Sequence, residues 1–265
     1  MNLTIQSDER LPIRMTIQSP ERPRALAIVV HGFKGFMQWG FFPWLSDVLR
    51  LHGIAVCRFN MSRSGIGEDP EAFDRLDLFR DDTYSIQLAD LRAVVARAQA
   101  ELPGLSTFLL GHSRGGAVAL LGAEEVPDLQ GVITWSAISH LSRWDDATIA
   151  GWRAAGSLDV VNQRTGQLMK MSTAVLDDYL AHRERLDVVA AARRLEVPLL
   201  VVHGRRDESV PVAEASEIAG AANDASLMLI DRASHTYNAI HPLVHVPVEL
   251  SVAAEVSAHF INAYV

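Results

Sequence analysis

Apolar and polar residues alternate over 2–7 and 11–18, with Leu3, Ile5, Leu11, Ile13, Met15 and Ile17 on one side. A period of two predicts two half-exposed strands, an antiparallel pair. After Pro20 and Pro23 the alternation stops. Ala25–Val30 is apolar throughout, as expected of a strand covered on both faces. Ile54–Phe59 and Thr107–Leu110 read as buried strands in the same way, and Gly131–Trp135, Val197–Val202 and Leu227–Ile230 as further strands. Helical patterns lie between them. One covers 43–51, with Pro43 in its first turn and Gly53 beyond its end. A long one follows Asp81 or Asp82, either of which is placed to cap it. Its Tyr84, Leu88, Leu91, Val95 and Ala98 form a single apolar stripe. Others cover 114–124, begin at Pro211, and span 247–262. Strand–helix alternation from residue 25 onward predicts an α/β fold: a mostly parallel sheet, helices on both faces and right-handed crossovers. Chemistry in such a fold gathers at the carboxyl ends of the strands.

The rhythm breaks over 139–190. This stretch carries helical signals but is more polar, with Trp144, Trp152, Arg143, Arg153 and Arg164. It leaves the end of one strand and returns before the next, so it reads as a helical lid inserted into one core domain made of 1–138 and 191–265. Trp144 and Trp152 are candidates for the wall of an acyl pocket or for the lid's own core. The arginines here, with Arg114, are expected to be solvated or, alternatively, to pair with a substrate carboxylate.

Composition narrows the function classes. The chain has 265 residues, 49% hydrophobic and 21% charged, with net charge −8. No long basic run is present, which argues against nucleic acid as a partner. No apolar run approaches the roughly 20 residues of a membrane span. The first residues do not pair a basic region with an apolar stretch, so no leader is expected and the cytoplasm is the expected location. The one cysteine, Cys57, lies in a buried strand and reads as inert core. No His, Cys or Asp cluster has zinc-ligand spacing, so neither metal nor cofactor is expected.

The candidate chemistry centres on Gly111-His112-Ser113-Arg114-Gly115, a G-x-S-x-G set between a strand and a helix. That context describes a nucleophile elbow, which lifts a serine oxygen off the end of a strand. A serine needs a base, and His235 stands in the loop after the last strand; His241 and His245 follow it as weaker candidates. The base needs an acid to orient it, and Asp207 follows the strand before, with Glu208 as the fallback. The tetrahedral oxyanion needs N–H donors: those of Arg114, directly after the nucleophile, and Phe33, in the turn after Ala25–Val30. His31, His112 and His203 read as structural histidines beside these turns.

The segments HGFKG, GHSRGG, HGRRDESVP and SHTY, in that order and each after a strand, resemble the α/β-hydrolase superfamily. The loop NMSRSGIGE resembles that family's Arg-Gly-x-Gly loop, with Ser64 between Arg63 and Gly65. HGF, the elbow and an insertion of about fifty residues at this point are similar to the feruloyl and cinnamoyl esterase branch and to the related dienelactone-hydrolase and peptidase-like branches. The resemblance implies an eight-stranded sheet and hydrolysis through an acyl-enzyme. The expected function is hydrolysis of a carboxylic ester, with amide, acyl-peptide or thioester hydrolysis as alternatives. A non-catalytic binding module on the same fold is the reading from another class.

Overall fold

The computed structural model describes all residues, 1–265. Strands β1 (Asn2–Gln6), β2 (Pro12–Gln18), β3 (Ala25–Val30), β4 (Ile54–Phe59), β5 (Ser106–His112), β6 (Leu129–Trp135), β9 (Leu199–Gly204) and β10 (Ala225–Ile230) form one eight-stranded sheet. Its order is β1-β2-β4-β3-β5-β6-β9-β10. The first two strands pair antiparallel and β2 runs antiparallel to β4; every other pairing is parallel.

The continuous apolar runs are continuous because both faces of the sheet are covered. Along β3, Leu26, Ile28 and Val30 point into one core while Ala25, Ala27 and Val29 point into the other. The same division runs through β9, where Leu199 and Val201 face one side and Leu200 and Val202 the other. Helices α1 (Phe42–Leu51) and α9 (Val248–Ala263) cover one face through Leu45, Leu49, Leu250, Ala254 and Ile261. Helices α3 (Tyr84–Glu101), α4 (Arg114–Gly122), α7 (Val188–Arg194) and α8 (Val212–Ala221) cover the other, joined by the single turn α2 (Leu76–Phe79) through Phe79. The Leu88 and Leu91 stripe of α3 is buried there, as its spacing predicts. None of the helices is long and apolar enough to cross a membrane.

Two local expectations differ. Neither Asp81 nor Asp82 caps α3; Thr83 does, its hydroxyl accepting from Ile86 N at 3.3 Å. Asp81 instead accepts from Ser172 Oγ. Asp82 is turned inward, where Oδ2 accepts from Gln87 Nε2 at 2.7 Å and Oδ1 has no partner. Burial pushes its carboxyl up to about 7, against the opposing charge of Arg114. A carboxyl raised by folding contributes stability that is present below its unfolded value and lost as pH rises through the folded one. Folding stability should therefore decline between roughly pH 4 and pH 7. Chemical denaturation across that range should show the decline, and Asp82→Asn should reduce it to the part that Asp90 contributes, whose carboxyl burial pushes up to about 6.

The second difference is in the insertion. It is not helical alone: α5 (Asp146–Ala155) is followed by an antiparallel hairpin, β7 (Ser157–Val161) and β8 (Leu168–Ser172), and then α6 (Thr173–Ala181). The alternating Leu158, Val160 and Met169, Met171 carry its inward face. The boundary expected at 190 falls inside α7, which packs on α4 and α8 and belongs to the main layer. Trp152, Met169, Met171, Val175 and Leu176 are buried in the same core as α3 and α4, so the insertion is continuous with the body of the protein.

Candidate active site

β5 is central, flanked by β3 and β6. The turn from β5 into α4 holds Ser113 at φ 57°, ψ −124°. A non-glycine residue there costs about 1–3 kcal/mol, a strain that persists only where the surroundings impose it. Here they do. A Cβ on Gly111 would strike the backbone of Gly115, and one on Gly115 would strike the carbonyl oxygens of Val30 and His31. The two glycines of the motif are what let β5, β3 and the elbow approach. Ser113 N–H donates to Trp135 O at 2.8 Å, tying the elbow to the end of β6. Ser113 precedes α4 yet its side chain makes no capping bond to the helix. The positive end of α4 lies beside it, where developing negative charge is favoured.

His235 follows β10, in a loop that closes over the end of β9; a Cβ on Gly204 would strike the Ala233 carbonyl. His235 Nδ1 donates to Asp207, 2.8 Å to Oδ2 and 3.1 Å to Oδ1. The Asp207 side chain is fully buried. Burial alone would raise its carboxyl. Hydrogen bonds from His203 and His235, the charge of His235 and the Val210 N–H outweigh it and hold Asp207 well below the ordinary carboxylate range. Oδ1 also accepts from Ser209 N at 2.9 Å and Val210 N at 2.8 Å. Glu208 bonds only the His235 backbone N–H, at 3.3 Å.

Three further histidines are built into the walls. His203 Nε2–H donates to Val210 O at 2.9 Å and lies 3.3 Å from Asp207 Oδ2, bracing the loop that carries Asp207. His112 Nε2–H donates to His235 O at 2.9 Å, with ring centroids 4.8 Å apart, bracing His235. Burial and the neighbouring charge of His235 lower the His112 imidazole to about 3. His31 Nδ1–H donates to Gly32 O at 2.9 Å, and its Nε2 accepts from Met61 N at 3.2 Å. Burial lowers it to about 4 despite the bond to Gly32. Both ring nitrogens of His31 are thus engaged in bracing the turn after β3.

That turn lies against the elbow: a Cβ on Gly32 would come 3.0 Å from Ser113 Cβ and 3.5 Å from Arg114 N. The Phe33 N–H donates to no backbone carbonyl, and Arg114 N is the first of α4, where helical N–H groups have no acceptor within the helix. The Arg114 side chain departs from expectation. It is not solvated but buried, its guanidinium 4.0 Å from the centre of the Phe33 ring and 5.1 Å from that of Tyr84.

Ser113 and His235 line one cavity of about 290 Å³ together with Gly32, Phe33 and Thr236. Trp39 and Phe42 wall it from the aromatic stretch after the turn, while Phe41 is core. The insertion contributes Asn162, Gln163 and Arg164, from the turn joining β7 to β8. Trp144 and Trp152 do not reach it. Their rings meet at 4.9 Å inside the insertion, and Trp152 Nε1–H donates to Met171 O at 3.0 Å. The large apolar rings of Trp144, just before α5, and Trp152, on α5, pack toward the core, and polar turn residues are left at the cavity. His241 and His245 line a different hollow, where His241 Nδ1 accepts from Gly40 N at 2.8 Å.

The fold is shared with several solved structures. Est1E from Butyrivibrio proteoclasticus, with ferulic acid bound, superposes with a TM-score of 0.76 at 21% identity over 99% of this chain and 98% of that one. A dienelactone hydrolase from Anabaena variabilis ATCC 29413 gives 0.68 at 16% identity over 100% and 97%. A monoacylglycerol lipase from Paleococcus ferrophilus gives 0.67 at 18% over 95% and 99%. At these identities the likeness establishes the α/β-hydrolase fold. No curated protein matches the sequence. The family described as serine aminopeptidase, S33, matches residues 21–155, just over half the chain and the stretch holding the turn after β3 and the elbow. By that match the chain belongs to the serine aminopeptidase S33 family of α/β hydrolases.

Proposed function

We propose that this hydrolase is a carboxylesterase working through an acyl-enzyme at Ser113. The observation that carries the reading is the convergence on one cavity of a strained, uncapped serine and a histidine whose other nitrogen is held by a buried carboxylate. In this reading His235 Nε2 takes the proton of Ser113 Oγ as the oxygen attacks the ester carbonyl. The N–H groups of Phe33 and Arg114 donate to the tetrahedral oxyanion. His235 then passes its proton to the departing alkoxide oxygen, leaving an ester on Ser113. Water, deprotonated by the same imidazole, attacks that ester and releases the acid. Asp207 keeps the Nδ1 proton in place throughout and stabilises the imidazolium. The hairpin turn over the cavity serves as its cover, the part of the insertion that acts as a lid.

Hydrolysis of peptides from their amino end is the reading that the family's description favours. It needs an anionic group to hold the substrate's ammonium. No Asp or Glu lines the cavity, and the two nearest by contact, Asp207 and Glu208, are committed to His235. The lining favours an ester. A volume near the lower end for ligand pockets favours a small one.

The test is intact mass after treatment with a fluorophosphonate. One phosphonyl adduct is expected on the wild type and none on Ser113→Ala. A folded wild-type protein that takes no adduct would remove the acyl-enzyme reading and favour a binding role.

A further inference from the structure

The cavity at Ser113 is positively charged in a chain that is negative overall. Lys34, in the turn after β3, and Arg164, in the hairpin turn, both line it, and no acidic residue does. Neither Lys34 nor Arg164 meets a carboxylate side chain; each has only backbone and ring partners. Lys34 Nζ donates to Val161 O at 2.8 Å, which uses one of its three N–H donors. Arg164 donates to Glu71 O at 3.1 Å and lies over the Phe36 ring at 5.6 Å. Behind them sits the buried guanidinium of Arg114, against the Phe33 ring. Lys34 and Arg164 thus place two positive charges on the wall of one small concave site, where an anion would meet both.

Lys34 is the most constrained of the three. Its backbone has φ 56°, a conformation that glycine adopts without cost and lysine does not. Its side chain is half-buried, and burial together with the charge of Arg114 disfavours its protonated form. Pinning the hairpin through Val161 O does not require a charge. A cation placed at such cost beside the reacting serine has a use if the substrate brings an anion to it.

We infer that the cavity takes esters carrying a second, anionic group, of which carboxylate is the simplest, held between Lys34 Nζ and the Arg164 guanidinium. This rests on the hydrolase reading for the reaction but on Lys34 and Arg164 alone for the charge preference. A planar carboxylate offers two oxygens, matching the forked donors of arginine on one side and an ammonium on the other.

The experiment compares three esters: nitrophenyl pentanoate, which is neutral; nitrophenyl monosuccinate, charged on the acyl side; and carboxynitrophenyl pentanoate, charged on the leaving group. The wild type should favour one charged ester over the neutral one by roughly 10- to 100-fold in kcat/KM, and which one it favours locates the anion. Lys34→Gln and Arg164→Gln should each reduce that ratio by about tenfold or more. Lys34→Gly, which relieves the backbone, should do the same in a protein at least as stable. No preference in the wild type overturns the inference, as does a preference that survives in all three variants. If none of the esters is cleaved, calorimetry of succinate and of carboxynitrophenol decides. Binding by the wild type that Lys34→Gln abolishes supports the anion site, and absence of binding overturns it. The fluorophosphonate adduct at Ser113 reports separately on the hydrolase reading.

Discussion

Ser113→Ala is expected to lower kcat by about a million-fold and to leave the fold in place, the scale seen when the nucleophile of such a triad is removed. The size of the effect follows from what the substitution takes away. Only the attacking oxygen is lost: His31 has both ring nitrogens and His112 its Nε2 committed to backbone partners, and the Thr236 hydroxyl donates to Ala239 O at 2.8 Å. The fold should tolerate the change because the elbow is held by its backbone, through Ser113 N to Trp135 O and Gly116 N to Ser113 O at 3.0 Å, and not by the hydroxyl. Alanine keeps the Cβ and hence the same strain at φ 57°. The thermal midpoint should therefore shift by no more than a few degrees, less than about 1 kcal/mol. A residual rate above that of water is expected, since the N–H groups beside the elbow still polarise a carbonyl. Steady-state kinetics with a chromogenic ester, alongside circular dichroism, checks both halves. A loss below about a hundredfold in a folded variant would mean that Ser113 is not the nucleophile.

The parts of this molecule that can be read from its sequence are those dictated by local physics. A strand covered on both faces must be apolar at every position, which is why β3, β4 and β9 stand out. The elbow is visible because close backbone approach demands glycine at 111 and 115, and nothing else fits there. Asp207 and His235 are legible through their place after strands whose ends share one edge of the sheet. The cap of α3 lies one or two residues beyond the sequence expectation: either aspartate suits the role, but contacts with Ser172 and Gln87 draw Asp81 and Asp82 away and leave it to Thr83. The insertion is the least legible part. Its hairpin strands are short, and the residues at its turn, Asn162 to Arg164, have the polarity of any exposed loop. Only the pairing of Val161 with Leu168 brings them over Ser113. The tryptophans suit a pocket wall as well as a core, and their size sends them toward the core. Lys34 carries no pattern signal, since the unusual feature is its backbone angle.

Asp207→Asn should lower kcat by about ten-thousandfold with little change in KM, and the reason lies in how the four donors around the carboxylate are divided. Oδ1 accepts from the backbone of Ser209 and Val210, while Oδ2 faces His235 Nδ1 and His203 Nε2. An asparagine keeps its carbonyl oxygen where the two backbone N–H groups are, because an NH₂ group there would take their acceptor away and set donor against donor. Its NH₂ then points at His235. Two donors cannot share a hydrogen bond, so the imidazole moves its proton to Nε2 and turns a lone pair on Nδ1 toward the amide. The nitrogen that should accept the serine proton now already carries one. The imidazolium that must form also loses the neighbouring negative charge. Glu208→Gln is the matching control. Glu208 touches only the His235 backbone N–H, so its amide should cost no more than about tenfold. Both variants keep the cavity and the oxyanion turn, so fluorophosphonate labelling of Ser113 should slow by the same ratios as turnover. Turnover of Asp207→Asn within about tenfold of the wild type, or a larger loss in Glu208→Gln, would reassign the acid.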